Sequence, residues 1–512
     1  MSAHKLIKST STVSILTFLS RILGFARDII LAKIFGAGGV FDAFVIAFKL
    51  PNFFRRLFGE GAFAQAFVPI LADYRTNHTE TETKQFVNYV GGTLSFVVLW
   101  VVILAEIFSP ILVMMFAPGF LHDPVRYHIC LHLLRIMFPY LLFIVLTAFM
   151  GAILNTCGVF GTPALAPSLL NVSLIGVALL WAPHTSMPIY VLGYGVLIGG
   201  VLQLFVQIPS VKKVNLFPKL KLGFKDDGVR RVMRRMLPAL FGVSVAQIGL
   251  LIDNIFASFL PTGSISWLYF SDRLIYFPVG IIGVALATVV MPHLSKNFAS
   301  KDEKIFSDTL DWALKTVLLI GLPAAVGLFC LSGPILSTLI HYGKFNDFDV
   351  IMTSKSLKAF AVGVPAFMLI KILASAFYAR QNIGTPVRVG AIALGVNLIF
   401  NFILIFPLKH AGLALATSLS SILNAALLWR LLIKCNIFHP RKIWFLAMVR
   451  LLIANFILGL FIYYLAGSIT PWLMWSALER LWHLMYIIFL GGIVYIIVLY
   501  ALGFRLRELK PE

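Results

Sequence analysis

The 512-residue sequence predicts an all-α integral membrane protein of fourteen transmembrane helices, arranged as two six-helix bundles in parallel repeat plus two C-terminal helices. Three observations carry that reading: an extreme apolar composition, a one-sided distribution of Lys and Arg, and an internal repeat. Hydrophobic residues make up 60% of the chain and charged residues 12%, against about 25% charged in an ordinary soluble protein. About 307 apolar residues suffice for about fourteen spans of roughly 20 residues each. A water-soluble fold of this composition would expose far too much apolar surface.

Hydropathy places the spans near residues 11–35, 39–58, 85–108, 131–154, 164–182, 189–210, 237–259, 266–291, 311–340, 355–379, 387–406, 411–433, 444–466 and 482–503. The first opens like a secretion signal, with Lys5 and Lys8 ahead of an apolar run. Arg21, Arg27 and Asp28 interrupt that run and no small-residue cleavage site follows, so a retained helix is expected. With the N-terminus inside, the cytoplasmic connections hold 25 Lys and Arg and the opposite side only Arg126, Lys344, Lys409 and Arg480. That asymmetry predicts both termini in the cytoplasm and an even number of spans. It also assigns most of the net charge of +21 to cytoplasmic loops rather than to nucleic acid.

The repeat is read from nine matches in the same order. Asp28, Ala32 and Gly38 recur as Asp253, Ala257 and Gly263. Leu50, Pro69, Pro110, Gly119 and Pro139 recur as Leu274, Pro292, Pro334, Gly343 and Pro365, and GTP at 161–163 recurs at 384–386. The expected domains are therefore 1–232 and 233–435, joined by the basic linker 211–235, with 436–512 holding the two helices outside the repeat. The linker reads either as an amphipathic helix on anionic phospholipid or as a solvated loop. Halves with an even number of spans enter the membrane the same way, a usual build for alternating-access transporters.

Thirteen Lys and Arg remain in or beside spans, six of them in the first two: Arg21, Arg27, Lys33, Lys49, Arg55 and Arg56. Ionisable groups at membrane depth are costly and face a bundle interior or a wet cavity. Ser20, Gly24 and Arg27, with Arg21 and Asp28, make one polar, small-residue helix face. Asp42, Lys49 and Arg56 recur every seven residues on the second span, with Pro51 expected to bend it. In the second half, Ser266 and Arg273 are seven apart, and Arg273 sits at the repeat position of Lys49. Arginine's planar, permanently charged fork matches phosphate oxygens. This set therefore predicts a cavity for an anion, most simply a phosphate or pyrophosphate. Taken singly, the cations have a second reading: Lys33, Arg55 and Arg56 snorkel to an interface, and Arg27 serves Asp42.

A second constellation, Asp253 with Asn397, Asn401 and Thr417, reads either as a sodium or proton site or as interhelical hydrogen-bonding groups. Cys130, Cys157, Cys330 and Cys435 share no metal or disulfide spacing, so neither metal nor cofactor is expected. Phosphate-binding loop, nucleophile-elbow and zinc-protease motifs are lacking, and no loop is large enough for a catalytic domain.

The segments SRILGFARDIILAKIFGAG at 20–38, FDAFVIAFKLPNFFRRLFGEGAFAQAFVPILADY at 41–74 and FASFLPTGSISWLYFSDRL at 256–274 closely resemble the bacterial lipid II flippase family, MurJ or MviN, of the multidrug/oligosaccharidyl-lipid/polysaccharide exporter superfamily. SGPILSTLIHYGKF at 332–345 and PLKHAGL at 407–413 extend the resemblance over essentially the whole chain. It implies a transporter, not an enzyme, in the bacterial inner membrane, moving the undecaprenyl-pyrophosphate-linked peptidoglycan precursor to the outer leaflet. Cell-wall synthesis enzymes are further expected partners. By position, Arg21, Arg27, Arg55, Arg56, Ser266 and Arg273 line the substrate cavity, with Asp42, Glu60 and Asp272, beside Asp28 and Lys49, as gating or salt-bridge groups. The two extra helices would form a groove for the lipid tail. Tyr276 stands where relatives carry an acid, which moves any gating carboxylate to Asp272 or Glu60. The competing reading is an exporter of another polyprenyl-linked oligosaccharide. A drug exporter should show carboxylates where this chain has arginines.

Overall fold

An apolar environment forces the backbone to satisfy its own N–H and C=O groups, and a helix does so within one segment. The computed structural model describes residues 3–56, 62–440 and 443–505, and every regular element among them is a helix. The chain divides into two compact units, Met1–Gly263 and Ser264–Glu512.

The first unit holds α1 (Ala3–Phe35), α2 (Gly39–Arg55), α3 (Ala62–Asn77), α4 (Glu80–Ile107), α5 (Ser109–Phe116), α6 (Pro124–Met137), α7 (Tyr140–Thr156), α8 (Gly161–Gly176), α9 (Pro188–Lys213) and α10 (Asp227–Ser258). Its core lies where α2 packs on α6 and where α8 packs on α1 and α9. From Phe41 to Phe48 every residue of α2 is buried, and Phe41, Phe44 and Phe48 follow one another ring to ring.

The linker is helical at both ends and a loop between them. Helix α9 runs to Lys213, and Asp226 caps α10 by accepting the Val229 N–H at 3.0 Å. The cap makes the basic turn 230–235 part of α10, well ahead of the expected start at 237. Between the two helices the loop is strapped to α4: the Lys219 N–H donates to Asn88 Oδ1 (2.6 Å), the Lys221 N–H to the Asn88 carbonyl (3.3 Å) and the Gly223 N–H to Thr93 Oγ1 (3.1 Å). This approach requires Gly92, where a Cβ would lie 2.2 Å from the Lys221 carbonyl oxygen. Gly92→Ala is expected to destabilise the protein by about 1–3 kcal/mol through overpacking. The readout is the Tm in detergent, and an unchanged Tm would mean that the strap is not held there.

Helix α10, expected to open the second half, packs on α3 and α4. Gly228 sits against Phe86 and Tyr74. The compact unit that holds α10 ends at Gly263.

The second unit holds α11 (Ser264–Pro278), α12 (Val284–Ala299), α13 (Glu303–Cys330), α14 (Ser332–Leu339), α15 (Asp347–Ala361), α16 (Val364–Ala379), α17 (Gly384–Lys434), α18 (Ile443–Ala466), α19 (Ile469–Met474) and α20 (Ala477–Ala501). The spans expected at 387–406 and 411–433 join as α17 through a sharp break at Lys409 (φ 51°, ψ −128°), just after Pro407. Helix α18 docks on α13, where the Trp444 indole N–H donates to Asp311 and Lys315 Nζ lies 2.6 Å from the same carboxylate. Arg480, expected in an outer loop, is instead buried: its guanidinium donates to the Ser337 and Leu473 carbonyls, both at 2.8 Å. It satisfies backbone carbonyls that the ends of α14 and α19 leave open.

By length and composition, nine helices or helix runs among the described residues suffice to cross a membrane. The pair Asp347–Ala361 and Val364–Ala379, bent by 40°, makes a tenth.

Candidate functional site

The polar face predicted on α1 meets α8. Asn171 donates to the Ser20 carbonyl at 3.1 Å and accepts from Arg27 Nη1 at 3.0 Å. Gly24 keeps the surface flat beneath that amide, since a Cβ there would touch it at 3.5 Å. Arg27 and Asp28 are both buried, and Arg27 Nε and Nη2 donate to Asp28 Oδ1 at 3.0 and 2.7 Å. Arg21, nearly two turns away, is exposed. The same face thus carries a buried, partnered cation and an accessible one.

The seven-residue row on α2 divides similarly. Asp42 is fully buried and accepts the Gly263 N–H at 2.7 Å, with Arg126 Nη1 4.0 Å from the same oxygen. Arg126 also donates to Asp123 at 2.7 Å and lies over the Phe120 ring. Asp123 accepts the Arg126 backbone N–H as well, and this hydrogen bond, ahead of the neighbouring guanidinium, holds its carboxyl below the usual range. Halfway along, Lys49 Nζ donates to Asn254 Oδ1 of α10 at 2.7 Å, where Asn254 is buried. Arg55 Nε donates to Asn52 Oδ1 at 3.1 Å, and Arg56 is exposed. Asp253, beside Asn254, is half-buried in this unit. Glu60 lies outside the described residues.

In the second unit Ser266 is fully buried on α11 and Asp272 is half-buried. Arg273 is half-buried, with its guanidinium carbon 4.9 Å from the Tyr269 ring centroid and Nη2 3.4 Å from the Tyr269 hydroxyl. Tyr276 is exposed. Asn397, Asn401 and Thr417 come together across the bend of α17. Asn401 Nδ2 donates to Asn397 Oδ1 at 3.1 Å, and Asn397 Nδ2 reaches Thr417 and Ser420 hydroxyls, each at 3.5 Å.

Sequence reasoning missed Asn171, Asn254 and Arg126 as partners of the cations and of Asp42. Asn171 carried a signal, a single amide in an otherwise apolar span, and Asn254 a weaker one beside Asp253. Arg126 carried none, because in sequence it is an ordinary loop cation.

Buried ion pairs on helix faces, accessible arginines and a bundle of apolar helices are the marks of a multi-pass membrane transporter, and the fold agrees. An inward-facing multidrug resistance transporter of the MATE family, in the MOP superfamily, aligns with a TM-score of 0.66 at 14% identity, covering 82% of this chain and 95% of that one. Much nearer is a solved lipid II flippase MurJ in an inward closed conformation, with a TM-score of 0.80 at 31% identity over 95% of this chain and 97% of that one. The family model for lipid II flippase MurJ matches residues 31–483. A probable lipid II flippase MurJ of Haemophilus influenzae is 42% identical, covering 97% of this chain and 100% of its own. The lipid II flippase MurJ of Burkholderia cenocepacia is 40% identical over 89% of each chain. This chain belongs to the lipid II flippase MurJ family.

Proposed function

We propose that this protein moves lipid II, the undecaprenyl-pyrophosphate-linked peptidoglycan precursor, from the cytoplasmic to the outer leaflet of the bacterial inner membrane by alternating access. The observation that carries the proposal is the family match over nearly the whole chain. The proposed topology has fourteen crossings and both termini in the cytoplasm, as the Lys and Arg distribution favours. A parallel repeat is supported by helix register: elements starting at 80, 109, 124 and 161 in the first unit have counterparts starting at 303, 332, 347 and 384, all 223 positions on. Helices α4 and α13 are both 28 residues long, and α5 and α14 both 8.

Arg21, Arg55 and Arg56 of the first unit and Arg273 of the second are the proposed pyrophosphate ligands, because their forks match its oxygens. Ser266, two turns before Arg273 on α11, is the proposed hydroxyl ligand, and Asp272 is the candidate gating acid. Arg27 belongs to the proposed cavity set but in this conformation spends its donors on Asp28 and Asn171. Asp42 and Lys49 tie α2 to Gly263 and α10. The driving force is membrane potential, worth about 2.3 kcal/mol per charge across 100 mV, or sodium or proton coupling through Asp253, Asn397, Asn401 and Thr417. Depleting the protein in cells and probing outer-leaflet lipid II tests the function: externally accessible lipid II should fall sharply, and unchanged accumulation overturns the assignment.

A further inference from the structure

We infer that the strapped segment 216–225 forms a binding site for an anionic phospholipid, with its lysines on the phosphate and its exposed Leu220, Leu222 and Phe224 against the acyl chains. The inference rests only on the chain being a membrane protein, not on what it transports.

The backbone of the segment is turned toward α4 by its three hydrogen bonds to Asn88 and Thr93. Its long side chains are thereby turned outward. Leu220, Leu222 and Phe224 are 58%, 57% and 48% exposed, and Lys219, Lys221 and Lys225 are exposed among them. Large apolar side chains held outward by a clamped backbone are costly in water and favourable at a lipid interface. The contacts on α4 run from Asn88 to Phe96, whose ring meets Phe224 edge-on at 5.8 Å. Eight residues of helix cover about 12 Å along the axis. The segment therefore descends from the polar first turns of α4 into its apolar stretch, the depth at which an interfacial element lies.

Charge selects the headgroup. From Val211 to Lys225 there is no acidic residue; Asp226, which accepts the Val229 N–H, and exposed Asp227 separate this stretch from exposed Arg230, Arg234 and Arg235. An acidic peptide or a nucleic acid would meet the lysines but not the interleaved Leu and Phe.

The test uses the full chain reconstituted in phosphatidylcholine bilayers containing a trace of spin-labelled phosphatidylglycerol or spin-labelled phosphatidylcholine. Electron paramagnetic resonance reads the motionally restricted fraction of each. The wild type should hold phosphatidylglycerol about fivefold more than phosphatidylcholine, less at raised salt. The exposed triple variant Lys219→Gln/Lys221→Gln/Lys225→Gln should lose most of that preference, whereas Lys296→Gln/Lys301→Gln/Lys304→Gln should keep it. Equal preference in the wild type and the first triple variant, or equal loss in both triple variants, would overturn the site.

Discussion

Asp28→Ala is expected to lower the unfolding free energy by about 3–5 kcal/mol, the usual cost of breaking a buried ion pair by removing one partner. Asp28 accepts two of the Arg27 N–H groups, at 3.0 and 2.7 Å, and both side chains are buried. Removing the carboxylate strips the guanidinium of its counter-charge in a medium that cannot solvate it. The double variant Arg27→Met/Asp28→Leu should recover most of the loss, because well-packed apolar residues commonly replace a buried pair at little cost. Thermal unfolding of the three proteins in one detergent decides the matter. If Asp28→Ala unfolds at the wild-type Tm, the pair does not hold α1 in place. Transport by the double variant adds a second answer, since a stable but inactive protein would return Arg27 to the substrate.

Arg273→Ala should abolish lipid II translocation at normal protein level. Truncating one member of a desolvated, hydrogen-bonded charge contact costs about 2–5 kcal/mol, a loss of about 30-fold or more in affinity. The geometry favours this residue because its guanidinium rests on the Tyr269 ring at 4.9 Å, a shelf that limits its rotamers. Arg273→Lys should recover only part of the activity, since an ammonium keeps the charge but presents no planar fork and stacks less well. Full translocation by Arg273→Ala would remove Arg273 from the anion site.

The long apolar helices were legible in the sequence because hydropathy is a sum over neighbours in the chain. Disagreements fall where a short-range polar interaction outweighs that sum. Asp226 caps α10 and draws Arg230 to Arg235 into the helix. Residues 62–77, with Pro69 and a polar end, form α3 although hydropathy listed no span there. Arg480 was counted as a loop cation, and only the carbonyls of Ser337 and Leu473 reveal why it is buried.

The sequence by itself determined the membrane class and the family, and it singled out the cations expected at membrane depth. Each of these follows from residue identity and local order. Only the tertiary structure decided how those cations divide. Arg27 finds Asn171 across 144 positions, Lys49 finds Asn254 across 205, and Asp42 finds the Gly263 amide across 221. Arg21 and Arg56 remain accessible on the same two helices. The physical reason is that a charge in an apolar medium is stabilised by whichever polar group the packing of helix faces brings within about 3 Å, and no spacing along the chain encodes which faces meet.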